Sequence, residues 1–253
     1  MSSVGKSLII LDKLSRPPYE FSLSELSQAI ECTKSGTYKI LAEMVKSNYV
    51  QQRKNKKYSL GCSILKLHEA YERYALSWNI CRPVLEQLRN ITGETSTLAQ
   101  WENGSAHILY RVQSQENLRV EGNIGKSLPV NASAHGKLLG AYQDESVIDA
   151  LIKKNPLKKL CPNTITDIDR LKAEYKDIRK NGVSISVEES SLGSIGIAAP
   201  VFGHDGKVCA SICVGTPTVR LTAEKRDLII EHVTQCARSL SAQMLDQARE
   251  GLG

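Results

Sequence analysis

The sequence predicts an α+β protein made of an N-terminal winged helix-turn-helix, a linker helix and a larger C-terminal domain in which helices cover one antiparallel sheet. Three patterns predict this fold class. Short amphipathic helices and a hairpin fill the first quarter of the chain, a single helical stripe follows, and hairpins then enclose a run of three helices. That order is typical of α+β domains and excludes a doubly wound parallel sheet. We expect the three parts to span residues 1–61, 62–78 and 79–253.

The first two helices are predicted by apolar spacing and by capping residues. Apolar side chains recur at helical spacing over residues 4–14, and this helix ends before Pro17 and Pro18. A second helix begins at Ser22. Because Glu25 follows three residues later, the two side chains have the spacing of a capping box.

The third helix and the hairpin after it have the pattern of a recognition helix and a wing. This helix begins at Thr33 after a three-residue turn, and its outward face is polar and basic. Two alternating strands, at 49–52 and 57–60, flank a basic tip. We predict DNA contacts from the helix through Lys34, Ser35, Gly36, Tyr38 and Lys39, and from the wing through Arg53, Lys54, Lys56 and Lys57.

Basic charge is concentrated in this part of the chain. Residues 1–61 hold ten Lys or Arg against five Asp or Glu, net +5, whereas the rest of the chain holds 23 against 22, net +1. Between residues 33 and 57 there are seven basic side chains and one acidic side chain, Glu43. Two helices and a hairpin can also form a plain packing unit, but this charge pattern favours a polyanion. We therefore predict double-stranded DNA as a partner.

A linker helix is predicted after Gly61. Its apolar residues recur at spacings of 3, 4, 3 and 4, namely Ile64, Leu67, Tyr71, Tyr74 and Trp78. Such a stripe either packs on its own domain or pairs with the same helix of a second chain. The second alternative makes the protein a homodimer.

The remaining residues predict one sheet and several helices. Strands are expected at 95–101, 106–113, 118–121, 183–187, 195–202 and 208–215, and helices at 79–90, 134–142, 144–153, 167–181 and from 228 to 244. Gly182 is expected to cap the fourth of these helices. Because the strands come in hairpins at both ends, we expect an antiparallel sheet.

Overall composition favours a globular protein in a reducing compartment. Hydrophobic residues make up 41% of the 253 residues and charged residues 24%, the usual globular shares. The longest apolar run, residues 8–11, is far shorter than the ~20 residues of a membrane span, and the N-terminus lacks a signal-peptide pattern. The seven cysteines form no CxxC pair and have no histidine at zinc spacing. We expect free thiols, no metal or other cofactor, and a cytoplasmic location.

Motifs along the whole chain carry a family resemblance. They are KYSLG at 57–61, LPVNASAHGK at 128–137, the stretch 182–201 with Glu188-Glu189 and IAAPV, then Gly206 and Arg220-Leu221. In this order they resemble the IclR family of bacterial transcription regulators. The resemblance implies a winged helix, a linker helix and a C-terminal GAF-like domain that binds a small effector. It also implies dimers, or dimers of dimers, on palindromic operators.

The resemblance further implies where an effector binds, over the GAF-like sheet and beneath residues 128–137. The residues implied are Asn131, Ser133, Ala134, His135, Ser186, Gly196, Cys213 and Gly215. Family members that bind small organic acids carry an acidic residue, a cysteine and two serines at the last four positions, and this chain matches none of them. We therefore expect a larger or less polar effector, in space left by the two glycines. Gly36 also departs from the usual Thr or Ser, so the operator sequence is not carried over.

Catalytic motifs are incomplete, and we predict that the protein is not an enzyme. Gly125-Lys126-Ser127 lacks the upstream glycine of a P-loop, because residue 120 is valine. Glu188 and Glu189 are adjacent on a predicted strand and so face opposite sides. His135 is the best isolated residue for acid-base chemistry. The alternative is a stand-alone metabolite-binding or catalytic GAF-like protein whose basic N-terminal region docks on another protein.

Overall fold

A computed structural model of the chain describes residues 1–74 and 79–250. The chain divides into two compact units, Met1–Leu76 and Ser77–Gly253. Trp78, the last residue of the predicted linker stripe, lies outside the described residues. Among the helices that the structure describes, none is long and apolar enough to cross a bilayer.

The N-terminal unit is a winged helix-turn-helix, as predicted. Its elements are α1 (Ser3–Leu14), α2 (Leu23–Ala29), α3 (Lys34–Lys46), β1 (Val50–Gln52), β2 (Tyr58–Leu60) and α4 (Ser63–Tyr74). The capping box is confirmed, since Ser22 and Glu25 each accept the other's backbone N–H. Helices α1, α2 and α3 bury Ile10, Leu26 and Leu41 in one core, which positions α3 with its polar face outward.

The C-terminal unit is built on a six-stranded antiparallel sheet in the order β5-β4-β3-β8-β7-β6. Its strands are β3 (Thr95–Glu102), β4 (Ser105–Val112), β5 (Ser127–Leu128), β6 (Ser184–Val187), β7 (Ser194–Phe202) and β8 (Val208–Pro217). Its helices are α5 (Cys81–Thr92), α6 (Ala134–Ala141), α7 (Glu145–Lys154), α8 (Ile168–Asn181) and α9 (Ala223–Glu250). This arrangement confirms the predicted α+β class.

Helices cover both faces of the sheet. Successive residues of β3 point to opposite sides, as strand geometry requires. Ser96 donates to the Leu85 carbonyl of α5, while Thr97 contacts His135 of α6. Helix α9 packs with α5 and on β7, so α5 and α9 lie on one face and α6 on the other. Gly182 ends α8 in the left-handed conformation, with φ 69°, as predicted.

The predicted strand at 118–121 is wrong. This segment is part of a loop, and the short strand lies later, where Leu128 of β5 pairs with Ala106 of β4. Residues 118–121 do not pair with the sheet. Arg111 donates to the Gly122 carbonyl at 3.1 Å, and the side chain of Val120 lies over Gly215. The alternating pattern of residues 118–121 therefore does not reflect pairing in the sheet, because Val120 packs on it and Leu118 is exposed.

Candidate functional site

The N-terminal half of α3 presents the predicted recognition residues to solvent. Thr33 caps the helix by accepting from Gly36 N–H at 3.2 Å. Because Thr37 and Leu41 are buried on the inner side, the opposite side of the helix faces outward. The exposed side chains there are Lys34, Ser35, Tyr38 and Lys39. Neither Lys34 nor Lys39 makes an ion pair with another described residue, so both ammonium groups are available to a partner.

Gly36 differs from the other predicted contacts because it offers only backbone. A Cβ built on it lies 2.9 Å from Cys32 Sγ and 3.1 Å from Thr33 Oγ1. The Cys32 thiol in turn accepts from Lys6 Nζ of α1 at 3.3 Å, an interaction that lowers the pKa of that thiol. A larger residue at position 36 therefore requires the side chains of Cys32 and Thr33 to shift.

The wing residues are not equivalent. Arg53 Nε donates to Ser59 Oγ at 2.9 Å and lies 3.7 Å from the Glu20 carboxylate. The same carboxylate accepts from Asn55 Nδ2 at 3.1 Å, which joins the wing tip to the segment between α1 and α2. Part of the Arg53 charge is therefore neutralised internally. The other three predicted wing cations, Lys54, Lys56 and Lys57, are exposed.

A cavity of about 520 Å³ lies in the C-terminal unit, on the side of the sheet that α6 covers. Seven of the eight predicted effector residues line it: Ser133, Ala134, His135, Ser186, Gly196, Cys213 and Gly215. The eighth residue, Asn131, does not. Its side-chain amide donates to the carbonyls of Lys158 and Ile165 at 3.2 and 2.6 Å, so it anchors the loop before α8 rather than the cavity.

His135 forms part of the cavity wall as a neutral, doubly hydrogen-bonded ring. Its Nε2 lies 2.8 Å from Thr97 Oγ1 and its Nδ1 lies 2.6 Å from Ser211 Oγ. Burial lowers the pKa of the imidazole to about 3. Because both ring nitrogens are occupied and the ring stays neutral, His135 joins α6 to β3 and β8 and is unsuited to acid-base chemistry.

The two glycines of the cavity wall allow close packing and do not add room. A Cβ on Gly196 lies 3.1 Å from Ala134 Cβ, and a Cβ on Gly215 lies 3.1 Å from Val120 Cγ1. The space predicted at these positions is therefore wrong, since α6 and the loop at 118–126 already fill it. The cavity opens instead between this loop, α6 and the β6–β7 turn.

Sequence reasoning missed the loop residues that complete the cavity. The additional lining residues include Thr95 and Thr97 of β3, residues 118–123 and Lys126 of the long loop, 190–195 at the β6–β7 turn, and 217–219 after β8. The positions of the two threonines could have been predicted from the strand pattern. They alternate on β3 and pair with Gly215 and Cys213, so they share the face of those residues. The loops carry no comparable periodicity.

Glu188 and Glu189 lie beyond the end of β6, in the turn, and serve different partners. Glu188 has φ 52° and accepts from Gly193 N–H at 2.8 Å. Glu189 points inward to Lys137 Nζ at 2.8 Å. Lys137 also donates to Glu174 and to the Ile185 carbonyl, each at 2.7 Å. All three ammonium hydrogens therefore have acceptors, and this cluster holds α6 against α8 and the β6–β7 turn. The described residues include no His, Cys, Asp and Glu group suited to a metal ion.

Comparisons with known sequences match the whole arrangement. Residues 76–242 match the family model described as bacterial transcriptional regulator IclR C-terminal. The HTH-type transcriptional regulator KdgR of Escherichia coli K12 is 31% identical over 248 residues, which cover 96% of this chain and 93% of that protein. KipR of Bacillus subtilis, also an HTH-type transcriptional regulator, is 24% identical over 242 residues, 96% of each protein.

Solved structures have the same fold. Thermotoga maritima IclR superposes with a TM-score of 0.80 at 24% identity, covering 96% of this chain and 98% of the other. An IclR homologue of Microbacterium hydrocarbonoxydans, solved in complex with 4-hydroxybenzoate, gives a TM-score of 0.83 at 20% identity, covering 96% and 99%. These matches agree with the architecture built above from the residues.

Proposed function

Because this chain belongs to the IclR family of bacterial transcriptional regulators, we propose that it binds its operator through α3 and the wing and responds to a small molecule held in the C-terminal cavity. Membership of the family confirms the resemblance seen in the sequence, and confirms that the chain is a DNA-binding regulator and not an enzyme. A cytoplasmic location is part of the proposal, since its partner is DNA.

The outward face of α3 is the observation that supports the DNA-binding part of the proposal. A helix of this kind enters the major groove with its N-terminal residues toward the base edges. Lys34 and Lys39 lie there without an ion pair among the described residues, and the Tyr38 side chain is 57% exposed between them. We assign Lys34 and Lys39 to phosphates, which position the helix, and Tyr38 to base edges in the groove. The wing lysines add phosphate contacts.

Selection from random DNA duplexes tests this half. We expect the full-length protein to enrich one sequence, and Tyr38→Ala to enrich a sequence that differs at the bases under α3. The matched control is Tyr19→Ala, another exposed tyrosine of the same unit that lies outside α3. Identical enriched sequences for the parent and for Tyr38→Ala would contradict base contact by Tyr38.

The effector half rests on the cavity. It is of the size usual for small-molecule sites, and it is bordered by loops that a ligand can contact. The backbone N–H groups of Ala134 and His135 belong to the first turn of α6, where donors have no acceptor within their own helix. Such donors favour an acceptor or anionic group. The homologue solved with 4-hydroxybenzoate supports binding of a small organic molecule by this fold.

Blocking the cavity tests the effector half. A compound panel is first screened for thermal stabilisation of the protein and for release of operator DNA. We expect active compounds to lose both effects in Ser191→Trp, which fills the cavity entrance, and in Gly196→Leu, which displaces Ala134. Ser239→Trp on the exposed side of α9 is the matched control. Unchanged responses in both folded cavity variants would place the effector elsewhere.

We further propose a homodimer through α4, on a palindromic operator. Leu67 and Tyr71, four residues apart and so on one side of this helix, are 53% and 46% exposed within one chain. Such an apolar surface is typical of a helix that pairs with a second copy. We expect Leu67→Glu to weaken operator binding and to lower the mass measured by sedimentation. Lys66→Glu, at an exposed neighbouring position, is the control. Unchanged mass and affinity in Leu67→Glu would exclude this interface.

A further inference from the structure

Positive charge is concentrated at the end of α7 and in the loop that follows it. We define the α7 patch by Lys153, Lys154, Lys158 and Lys159, together with Leu160. No Asp or Glu occurs from residue 150 to residue 166. Residues 62–253 hold 23 basic and 22 acidic side chains, so without these four lysines they hold 19 and 22. The patch is therefore a local excess of positive charge in a part of the chain that is otherwise slightly acidic.

The lysines of the α7 patch are available to a partner. All four are exposed, and none makes an ion pair with another residue that the structure describes. Asp149 lies one helical turn before Lys153, but Lys172 of α8 holds its carboxylate at 2.9 Å. Lys172 also holds Glu145 at 2.7 Å. Because the carboxylates of α7 bind α8, the positive charge at the end of α7 is not neutralised within the fold.

The loop that bears the patch is fixed to the rest of the unit. Asn131 Nδ2 donates to the Lys158 carbonyl at 3.2 Å. The N–H groups of Leu160 and Cys161 donate to Thr164 Oγ1 at 3.1 and 2.8 Å. The Leu160 side chain is nevertheless 50% exposed. A loop whose backbone is already ordered loses little conformational entropy when it binds. None of residues 153–160 lines the effector cavity, so this surface is separate from it.

The groups of the patch fit a polypeptide better than a nucleic acid. Lysine side chains need anionic partners, but the patch also includes the carbonyl end of α7. Asn155 N–H donates to the Leu151 carbonyl at 2.8 Å, whereas the carbonyls of residues 152–154 have no donor within their own helix. A phosphate backbone presents only acceptors, and the negative end of a helix repels it. An acidic polypeptide offers carboxylates to the lysines, N–H donors to the carbonyls and apolar side chains to Leu160.

From these observations we propose that the α7 patch binds an acidic segment of another protein, one that carries an apolar side chain among its carboxylates. Attraction between the lysines and the carboxylates speeds association, and the apolar contact with Leu160 adds to the lifetime of the complex. This interaction is distinct from operator binding by α3 and from effector binding in the cavity.

Three fluorescent peptides test the proposal on the full-length protein. The first alternates glutamate with glycine around a central leucine, the second has glutamine in place of glutamate, and the third has serine in place of the leucine. Fluorescence anisotropy measures their dissociation constants. We expect the first peptide to bind with an affinity that falls as salt is added. We expect the glutamine peptide to bind at least about tenfold more weakly, because it lacks the charges that attract the lysines.

Substitutions locate the binding surface. We expect Lys153→Ala/Lys154→Ala to weaken binding of the first peptide about three- to tenfold, the loss expected for two exposed ion pairs. Leu160→Ser is expected to weaken the first peptide about threefold and to leave the serine peptide unchanged. The matched control is Lys176→Ala/Lys180→Ala, which removes the same charge from exposed positions of α8. It is expected to bind the first peptide with the parent affinity.

Other partners of the patch are distinguished by two further measurements on Lys153→Ala/Lys154→Ala. We expect this variant to keep the parent's salt dependence for a duplex of mixed sequence and the parent's mass in sedimentation. Weaker salt dependence for the duplex would assign the patch to DNA, and a lower mass would assign it to a second copy of this chain. Either result would overturn the proposal. Equal affinities for the glutamate and glutamine peptides, or equal affinities of the parent and this variant for the first peptide, would overturn it as well.

Discussion

In the N-terminal unit, the recognition-helix lysines Lys34 and Lys39 are exposed and make no ion pair with a described residue, whereas Lys137 in the C-terminal unit is 1% exposed and holds two carboxylates. Glu94 extends the contrast. It is fully buried and is held by Arg220 and Lys225 at 2.6 to 2.8 Å. The α3 lysines are thus solvated, whereas Lys137, Arg220 and Lys225 are paired with carboxylates.

The contrast shows which charges are available to a partner. A solvated lysine keeps its hydration until a phosphate replaces it, so it contributes to binding and to salt dependence. A buried lysine has already lost its hydration, and its carboxylates compensate for that loss within the fold. A charge count from the sequence therefore predicts binding to a partner only where the charged side chains are exposed. The predictions below test whether exposed lysines contribute to binding and buried lysines to stability.

The largest effect is expected at Lys137. Lys137→Met leaves Glu189 buried without its cation, and breaking a buried pair in this way costs about 3–5 kcal/mol of unfolding free energy. Urea denaturation measures the loss. The matched control is Lys172→Met, since Lys172 also joins two carboxylates, Glu145 and Asp149, but at the surface. We expect Lys172→Met to lose much less unfolding free energy. Equal losses in the two variants would contradict the distinction between buried and exposed lysines.

A smaller, pH-dependent effect is expected at Glu94. Burial opposes ionisation of this carboxyl, but hydrogen bonds from Arg220 and Lys225 outweigh it and lower its pKa below the usual 4.5. Its contribution to stability is therefore fully present above pH 4.5 and is lost as the pH falls through the lowered value. We expect Glu94→Gln to cost about 1–3 kcal/mol at pH 7.

Urea denaturation at two pH values checks the direction of this pH dependence. The difference between Glu94→Gln and the parent is expected to shrink when the pH is lowered from 7 to 3.5. Glu231→Gln, on the exposed side of α9, is the control and is expected to leave stability unchanged at both values. A difference that grows as the pH falls would show that the ion pairs do not stabilise ionised Glu94.

The smallest effects are expected in the wing, where Arg53 and Lys54 differ. Lys54→Ala is expected to lower the slope of log affinity against log salt by about one without changing stability. Arg53→Ala is expected to change this slope less and to cost about 0.5 kcal/mol of stability, because Arg53 holds Ser59 and Glu20. Operator titrations and melting curves compare the two. Equal slopes for both variants would contradict internal neutralisation of Arg53.

Local signals made the N-terminal unit predictable. Ser22, Glu25 and Thr33 specify helix starts through contacts within three residues, so their pattern is visible in the sequence. In the C-terminal unit, alternation predicted most strands but also produced the false one at 118–121. Alternation alone does not establish a strand, since in this segment Val120 packs against Gly215 whereas Leu118 is 58% exposed.

The interactions that were missed join distant parts of the chain. Lys137 and Glu189 are 52 residues apart, and Glu94 and Arg220 are 126 apart. No local pattern relates such positions. The predicted room at Gly196 and Gly215 failed for the same reason, because Ala134 and Val120, which fill it, are contributed by α6 and by a loop. The family resemblance placed seven cavity residues, but not the loops that complete the cavity.

The salt dependence of operator binding by matched lysine pairs tests the central claim most directly, that exposed, unpaired lysines of α3 are the ones that contact DNA. Lys34→Ala/Lys39→Ala and Lys153→Ala/Lys154→Ala remove the same charge from exposed positions in the two units. We expect the slope of log affinity against log salt to fall in magnitude by about 2 in the first variant and to stay at the parent value in the second. Equal slopes for the parent and the α3 variant, or an equal fall in both variants, would contradict the account.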